Sequence, residues 1–387
     1  MYEFTTNYNE ILQQIENIDP ISYSRSRNFL NGKVTMLSPY LTHGVISLNQ
    51  IKTSILARYK YNQVEKFIFE LAWKEYFLRV WESKKDEIWT DLKQPQDCTN
   101  KQIPTGVLEA KTGISAIDNT ILDLYSTGYM HNHARMWTAS ITANIAHCHW
   151  KIPSQWMYYH LLDGDLASNT LSWQWIAGSF SSKKYFANQE NINKYAGSRQ
   201  LGTYLDIPYE SFDSVSIPPQ LIELQDLELV CDLKKWVDEY LEKSPKLKSQ
   251  PQPDWGSPTT ETETQNKTLV LFHPWCLDPN FTSEIENSDK ILLLEPSHFQ
   301  KYNMSQKRIN FILDLASNID GLQIKVCEIT DLDSTKYRKI VTKKYPAIDH
   351  WSVIANLEVV KPDYMFPAVY GYFGSFMSYW KKCEKAL

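Results

Sequence analysis

Three charged residues stand in a strongly aromatic stretch of the sequence, residues 126–186. Arg135 follows a small polar cluster at residues 130–134, and Asp163 and Asp165 flank a glycine further along the chain. Charged side chains are costly to bury unless they pair with each other or with a polar ligand. Aromatic side chains suit the flat, apolar part of such a ligand. The pattern therefore favours a buried ligand that is both polar and flat, which points towards a flavin.

Helices are predicted to position these residues. Residues 46–90 have a strongly helical pattern, and residues 112–126 form a further helix with apolar side chains on one side. Within the first of these, Glu70, Trp73 and Lys74 share one face because they are spaced at i, i+3 and i+4. An acid, an indole and an ammonium group together could recognise a base. Such a trio is, however, more often a salt bridge beside a core tryptophan.

A short loop at residues 35–39 (TMLSP) precedes another predicted helix. A serine just before a proline at a helix start leaves backbone N–H groups free, and these groups can bind a phosphate. An ordinary capped helix explains the same pattern. From the loop alone, the ordinary capped helix is the favoured interpretation.

The second half of the chain has a different pattern. Residues 244–267 are rich in proline, serine, threonine and charge, which predicts a flexible linker. Beyond it, short apolar runs alternate with a helical segment, which predicts a small parallel α/β layer. Neither GxGxxG nor GxxxxGK[ST] occurs there, so no phosphate-binding loop is predicted. The predicted elements are a helix at 224–241, strands at 268–272, 290–294 and 322–328, a helix at 305–319, a helix at 336–344, and a strand or helix at 355–366.

Length, composition and net charge limit the possible domain organisation and ligands. A chain of 387 residues is long enough for two domains. The 13 Trp, 23 Tyr and 15 Phe suit a protein that stacks flat ligands or bases, although an aromatic-rich helical core explains them equally well. The net charge of −5 argues against a strong overall attraction to nucleic acid, so any basic face must be local.

The cysteines and the hydropathy bear on location. The six cysteines are widely spaced without a CxxC pair, which predicts free thiols in a reducing compartment and no metal site. No apolar run approaches 18 residues and no signal peptide opens the sequence, so a cytoplasmic protein without membrane contact is expected.

Four sequence blocks together resemble the photolyase/cryptochrome family of flavoproteins, in that family's order. The resemblance spans about residues 20–195. It implies that FAD is the cofactor. The blocks are Tyr23 and Arg27 with residues 35–40 (TMLSPY), residues 70–75 (ELAWKE), residues 127–136 (TGYMHNHARM), and residues 163–175 (DGDLASNTLSWQW).

The resemblance also implies a fold class, multidomain α and α/β. An all-helical FAD-binding domain is expected at residues 1–243, followed by the linker at 244–267 and a small Rossmann-like parallel α/β domain at 268–387. The family's usual α/β antenna domain precedes its flavin domain. The last segment resembles part of that antenna domain, which implies a rearranged domain order. A second, antenna chromophore has no support in the sequence.

Individual cofactor roles follow from the matching positions. Arg135 and Asp163 match an ion pair beside the isoalloxazine, and Asp165 matches the carboxylate that hydrogen-bonds the flavin ring edge. Asn169 matches the side chain that faces flavin N5, and asparagine there resembles the repair enzymes. The full set of implied cofactor-binding residues is Tyr23, Thr35, Met36, Leu37, Ser38, Phe67, Asn132, Arg135, Asp163, Asp165 and Asn169.

Further positions match those that bind the substrate and those that transfer electrons. Asn132 and Met136 resemble the enzymes that act on cyclobutane dimers. In the implied electron relay, Trp173 is nearest the flavin and Trp150 is the middle member, whereas the surface member is unassigned, with Trp89 and Tyr129 as guesses. The implied catalytic residues are Glu70, Asn169, Trp150 and Trp173, and the implied DNA-binding residues are Glu70, Trp73, Lys74, Asn132, His133, Met136 and Trp175.

Three basic positions of the family are weakened in this sequence. His133 and Lys74 stand where arginine is common, and Met36 replaces a basic residue of the phosphate loop. Lysine keeps the charge but loses the two-pronged phosphate contact of arginine. These replacements argue against tight binding of duplex DNA and favour a photoreceptor. Glu70, Trp73 and Asn169 favour repair, and the predicted function is a deoxyribodipyrimidine photolyase-like lyase that acts on DNA containing pyrimidine dimers. The alternatives are a cryptochrome-like photoreceptor with a protein partner, and a flavin domain that serves only as a binding module.

Overall fold

A computed structural model describes residues 3–244, 247, 267–281, 284–285 and 287–387. Most of the predicted linker, residues 244–267, lies outside these described residues. The domain boundaries at 243 and 268 therefore stay predictions. Below, the helical part means residues 3–243 and the α/β part means the described residues from 267 onward.

The helical part is built around α5 (Tyr61–Lys84), the longest of the described helices. Capping side chains start several of these helices: Asn7, Asp19 and Asp165 each accept hydrogen bonds from backbone N–H groups of the first turn. The remaining helices are α1 (Tyr8–Glu16), α2 (Pro20–Ser26), α3 (Ser38–Thr42), α4 (Leu48–Arg58), α6 (Thr105–Leu108), α7 (Ser115–Thr127), α8 (Asn132–Ser140), α9 (Lys151–His160), α10 (Leu166–Ala177), α11 (Gln189–Ala196), α12 (Pro219–Ile222) and α13 (Leu233–Lys243).

A two-residue strand pair also lies in the helical part. Strand β1 (Ile103–Pro104) pairs with β2 (Leu224–Gln225) in antiparallel fashion. The helix predicted for residues 224–241 is therefore wrong in its first half. Helix α13 begins only at Leu233, where the side chain of Asp232 caps its first turn.

The α/β part contains a five-stranded, all-parallel sheet in the order β5-β4-β3-β6-β7. This confirms the predicted parallel α/β layer. The helix predicted at residues 336–344 is wrong, because Ile340, Val341 and Thr342 are β-branched and form the buried centre of a strand. The elements are β3 (Thr268–Phe272), β4 (Ser288–Leu294), α14 (Pro296–Lys301), α15 (Gln306–Ala316), β5 (Leu322–Val326), β6 (Lys339–Lys343), β7 (Leu357–Val360) and α16 (Phe376–Cys383).

The α/β part packs directly on α5. The buried carboxylate of Glu75 accepts hydrogen bonds from the backbone N–H groups of Met365 and Phe366 and from the hydroxyl of Tyr379, which is 2.9 Å away. One apolar core cluster contains side chains from α5 and from the sheet, such as Val80 and Leu292. The two parts therefore share a core. None of the described helices is both long and apolar enough to cross a membrane.

Candidate flavin site

Arg135 and Asp163 form an ion pair in which one guanidinium nitrogen contacts both carboxylate oxygens. Arg135 lies on α8, and its Nη2 donates to both carboxylate oxygens of Asp163 at 2.9 and 2.8 Å. Its Nε donates to the carbonyl oxygen of Met130, which fixes the guanidinium plane. Burial alone would raise the pKa of Asp163, but the charge and hydrogen bonds of Arg135 outweigh it, so the pKa lies below its ordinary value. Asp163 is therefore ionised at neutral pH.

Asp165 lies at the N-cap of α10, two residues beyond Asp163. Its Oδ1 accepts from the backbone N–H of Ser168 at 2.7 Å, and its Oδ2 accepts from the hydroxyl of Tyr345 at 2.8 Å. The ammonium group of Lys74 is 3.6 Å from the same Oδ2. Burial would raise the pKa of Asp165, but Lys74 and the N-cap hydrogen bond together bring it below its ordinary value. A second buried carboxylate is thus held ionised.

The loop before α3 lies against this pair of carboxylates. The hydroxyl of Ser38 faces the Asp163 carboxylate and lowers its pKa, and the Thr35 hydroxyl accepts from the backbone N–H of Leu37 at 3.5 Å. Met36 has a positive φ of 55°, a conformation that non-glycine residues seldom adopt. Leu37, the N-cap residue, makes no side-chain capping hydrogen bond to the first turn of α3.

Tyr23 and Phe67 form an aromatic wall beside a second cluster of charges. Their rings meet edge to face, with centroids 5.0 Å apart. On the same side of α5, Glu70 accepts from Arg27 at 2.8 Å and from Lys66 at 2.9 Å. Only 24% of the Glu70 side chain is exposed, so this carboxylate is held at the edge of the interior.

His133 lies close to this second cluster. Burial lowers the pKa of His133 to about 4, and the nearby positive charge of Arg27 acts in the same direction. The imidazole is therefore neutral at pH 7. At this predicted DNA contact, the charge that an arginine would carry is absent.

Each of the two predicted aromatic base contacts, Trp73 and Trp175, packs against another aromatic ring. The indole of Trp73 stacks on the ring of Phe376 in α16, with centroids 3.8 Å apart and planes 12° apart. Trp175 is 37% exposed and packs beside Tyr185. Asn132 contacts Met136 through a 3.8 Å contact between its amide nitrogen and the sulfur. The contacts of Trp73 and Trp175 are thus with different neighbours.

The residues predicted for electron relay are deeply buried. Trp173 is 2% exposed and Trp150 is fully buried, with its indole N–H donating to Asp91 at 2.6 Å. The amide of Asn169 donates to the carbonyl oxygen of Ser154 at 2.9 Å.

The two guesses for the surface member of the relay lie in different places. The ring of Trp89 lies between those of Trp81 and Tyr302, with centroid distances of 6.2 and 4.9 Å. Tyr129 lies under the guanidinium of Arg135, at 5.7 Å.

Two described residues of the α/β part contact the Asp163–Asp165 turn, and no local sequence pattern indicates either contact. Tyr345 follows β6 and contacts Asp165, as described above. Arg308 of α15 donates to the carbonyl oxygens of Tyr158, at 2.9 Å, and of Gly164. Both contacts join residues more than 140 positions apart, so only the folded chain reveals them.

The set of side chains fits a flavin nucleotide. A cation with an oriented guanidinium, an ionised acceptor carboxylate and a serine hydroxyl lie in one place, namely Arg135, Asp165 and Ser38. The rings of Tyr23 and Phe67 provide apolar surface nearby. This combination matches the mixed polar and flat character expected from the sequence.

Comparison with known proteins supports the same cofactor. Residues 67–203 match the family described as the FAD binding domain of DNA photolyase. The deoxyribodipyrimidine photo-lyase of Streptomyces griseus is 30% identical over 161 residues, which cover 41% of this chain and 35% of that protein. The cryptochrome DASH of Gloeobacter violaceus is 28% identical over 171 residues, which cover 41% of this chain and 33% of that protein. The chain thus spans about a third of the length of these relatives.

Solved structures give weaker likenesses. A cryptochrome from Synechocystis sp. has a TM-score of 0.45 and 21% identity, covering 50% of this chain and 44% of that one. A class III photolyase from Agrobacterium tumefaciens has a TM-score of 0.41 and 22% identity, covering 49% of this chain and 44% of that one.

The family match confirms the resemblance seen in the sequence and the FAD prediction.

Proposed function

We propose that this protein is a FAD-dependent, blue-light-driven DNA repair lyase that splits cyclobutane pyrimidine dimers. The observation that carries the proposal is the position of Glu70. Arg27 and Lys66 hold this carboxylate half-buried on the helix that also supplies Phe67, a predicted cofactor contact. A carboxylate in this position would accept hydrogen bonds from the ring N–H groups of pyrimidines flipped out of the DNA.

The chain's own residues would hold the cofactor and provide the charged groups around it. Bound FAD supplies the light absorption and the transferable electron. Arg135 keeps a fixed positive charge in the site, and Asp163 holds that charge in one orientation through two hydrogen bonds. Asp165 offers an ionised acceptor to the N–H edge of the ring system. No nucleophile or metal ion is required from the protein for this reaction.

We propose that the contacts of this protein with DNA phosphates are weak. His133 is neutral at pH 7, and Lys74 is engaged by Asp165 and by the hydroxyl of Thr42 at 3.1 Å. Neither side chain is therefore available as a strong phosphate clamp. Together with the net charge of −5, this makes affinity depend on the flipped bases more than on the backbone.

The test is repair under blue light. The reduced holoprotein is illuminated with oligonucleotides that contain one cyclobutane dimer, single- and double-stranded, and the restored pyrimidine absorbance is followed. Glu70→Gln should repair at least about tenfold more slowly, the loss expected for one charge-assisted hydrogen bond. Glu65→Gln is the matched control, because Glu65 lies on the same helix and is exposed. No repair by the wild type on either substrate would contradict the proposal.

A second function, a cryptochrome-like photoreceptor that signals through a protein partner, is favoured by the stacking of Phe376 on Trp73. Phe376 covers one face of the indole that the repair model assigns to the flipped bases. A photoreceptor would not need that face. Full light-driven reduction of bound FAD without any dimer repair would favour this second function.

A further inference from the structure

We propose that Tyr345, a residue of the α/β part, is a positioning residue of the flavin site that orients Asp165 towards the cofactor. The α/β part would then complete the cofactor site as well as cover it. This inference rests on the proposed role of Asp165 as a cofactor contact. It gives a role in the cofactor site to a residue outside the segment that matches the FAD-binding family, since that match ends at residue 203.

The hydroxyl of Tyr345 is held rigidly. It donates to Oδ2 of Asp165 at 2.8 Å. Its ring stacks on Trp275, with centroids 4.9 Å apart and planes 10° apart, and meets the edge of Trp81 at 5.5 Å and 90°. Because both neighbours are bulky and buried, the phenol ring has one orientation and fixes the place of the carboxylate oxygen.

Asp165 keeps capacity for a ligand in this arrangement. An ionised carboxylate has about four acceptor positions. The Ser168 N–H and the Tyr345 hydroxyl use one on each oxygen, and the ammonium group of Lys74 lies 3.6 Å from Oδ2. The remaining positions can accept hydrogen bonds from a cofactor, and their direction is set by the two bonds already made.

The charged and titratable groups near this carboxylate come from four elements. Lys74 of α5 lies 3.6 Å from Oδ2, and Tyr158 of α9 faces Asp165. Arg308 of α15 acts on Tyr345, which follows β6. Burial, followed by the charge of Asp165, raises the pKa of Tyr345 well above its ordinary value, so the phenol keeps its proton and remains the donor.

A second contact from the α/β part holds the same turn. The fully buried guanidinium of Arg308 donates to the carbonyl oxygen of Gly164, between the two aspartates. A Cβ atom at Gly164 would lie 2.5 Å from Nη1 of Arg308, so the glycine is required for this approach. The α/β part thus hydrogen-bonds both the backbone and a side chain of the Asp163–Asp165 turn. Packing over the turn alone would not require these two bonds.

The test uses the full chain with Tyr345→Phe, which removes only the hydroxyl. The matched control is Tyr337→Phe, because Tyr337 makes a similar bond to Asp289, at 3.1 Å, in the same part of the protein. Two quantities are measured. The first is the pKa of Asp165 in flavin-free protein, from the side-chain carboxyl signal of ¹³C-labelled aspartate, assigned with Asp165→Asn. The second is the pH at which half of the bound FAD is released on acidification.

In Tyr345→Phe, the Asp165 pKa should rise by about one unit, since the ionised form loses a hydrogen-bond donor. The release midpoint should rise in parallel, because the acceptor is protonated at a higher pH, and Tyr337→Phe should change neither quantity. An unchanged carboxyl pKa and release midpoint in Tyr345→Phe, or equal shifts in Tyr337→Phe, would overturn the role of Tyr345 while leaving FAD binding intact. A wild-type protein that takes up no FAD would instead overturn the proposed function, and this inference with it.

Discussion

Replacing Asp163 by asparagine tests whether the buried ion pair is a structural support of the flavin site. The substitution keeps the shape of the side chain but leaves the guanidinium of Arg135 without its counter-ion. Removing one partner of a buried pair costs about 3–5 kcal/mol, because a charge remains buried and uncompensated. Since 22% of the Arg135 side chain is exposed, water can relieve part of this. We therefore expect a loss of about 2–3 kcal/mol in the free energy of unfolding at pH 7.

The measurement is urea unfolding of the flavin-free protein, followed by tryptophan fluorescence. The matched control is Asp97→Asn, because Asp97 pairs with Lys184 at 3.2 Å but its side chain is 86% exposed, and such pairs contribute about 0–1 kcal/mol. The pKa of Asp163 is depressed in the folded state, so its contribution is complete above the ordinary aspartate pKa and is lost as the pH falls through the folded value. The difference between wild type and Asp163→Asn should therefore shrink on acidification. Equal losses in Asp163→Asn and Asp97→Asn would refute the reasoning, and normal FAD affinity in Asp163→Asn would contradict the proposed cofactor role.

Three further predictions concern other contacts. Phe376→Ala should lower the free energy of unfolding by about 3 kcal/mol and make Trp73 more accessible to acrylamide in fluorescence quenching; unchanged quenching would contradict the stacked arrangement. The hydrogen bond between His350 and Glu295, which is 2.9 Å long, raises the pKa of His350 above its unfolded-state value of 6.5. The charged imidazole therefore stabilises the folded protein fully below pH 6.5, and this stabilisation is lost as the pH rises through the pKa of the folded state. In urea unfolding, the free energy of unfolding at low pH should therefore be higher for the wild type than for His350→Gln, by less than about 1 kcal/mol because the imidazole is half exposed. Equal differences at pH 5.5 and 8.5 would disprove this. Trp173→Phe should strongly slow the light-driven reduction of bound FAD by an external thiol, measured by flavin absorbance, and an unchanged rate would remove Trp173 from the relay.

Much of the fold could be predicted from the sequence, because it depends on local patterns. The periodic apolar residues of α5 and α7 and the short apolar runs of β3 and β4 are signals that a few neighbouring residues carry. The predictions failed where the outcome depends on a distant partner. Residues 224–225 form a strand because residues 103–104 lie beside them, and β6 forms between two other strands.

In the candidate site, too, the residues with a local sequence signal could be predicted and those that depend on a distant partner could not. Arg135 and Asp163 stood out because charged residues were surrounded by aromatic ones, and the structure places them in an ion pair. Tyr345 and Phe376 did not stand out, since an aromatic residue in an apolar context gives no indication of which distant side chain it meets. Their contacts with Asp165 and Trp73 arise only when the α/β part packs on the helical part.

The order of the chain has a consequence for how the protein is made. Tyr345 follows Asp165 by 180 positions, and Tyr379 follows Glu75 by 304. A nascent chain leaves the ribosome from its N-terminus and tends to fold as its parts emerge. The helices that carry Asp165 and Glu75 therefore emerge long before the residues that satisfy those carboxylates. The half of the molecule that is synthesised first can therefore complete these contacts only after the second half has emerged.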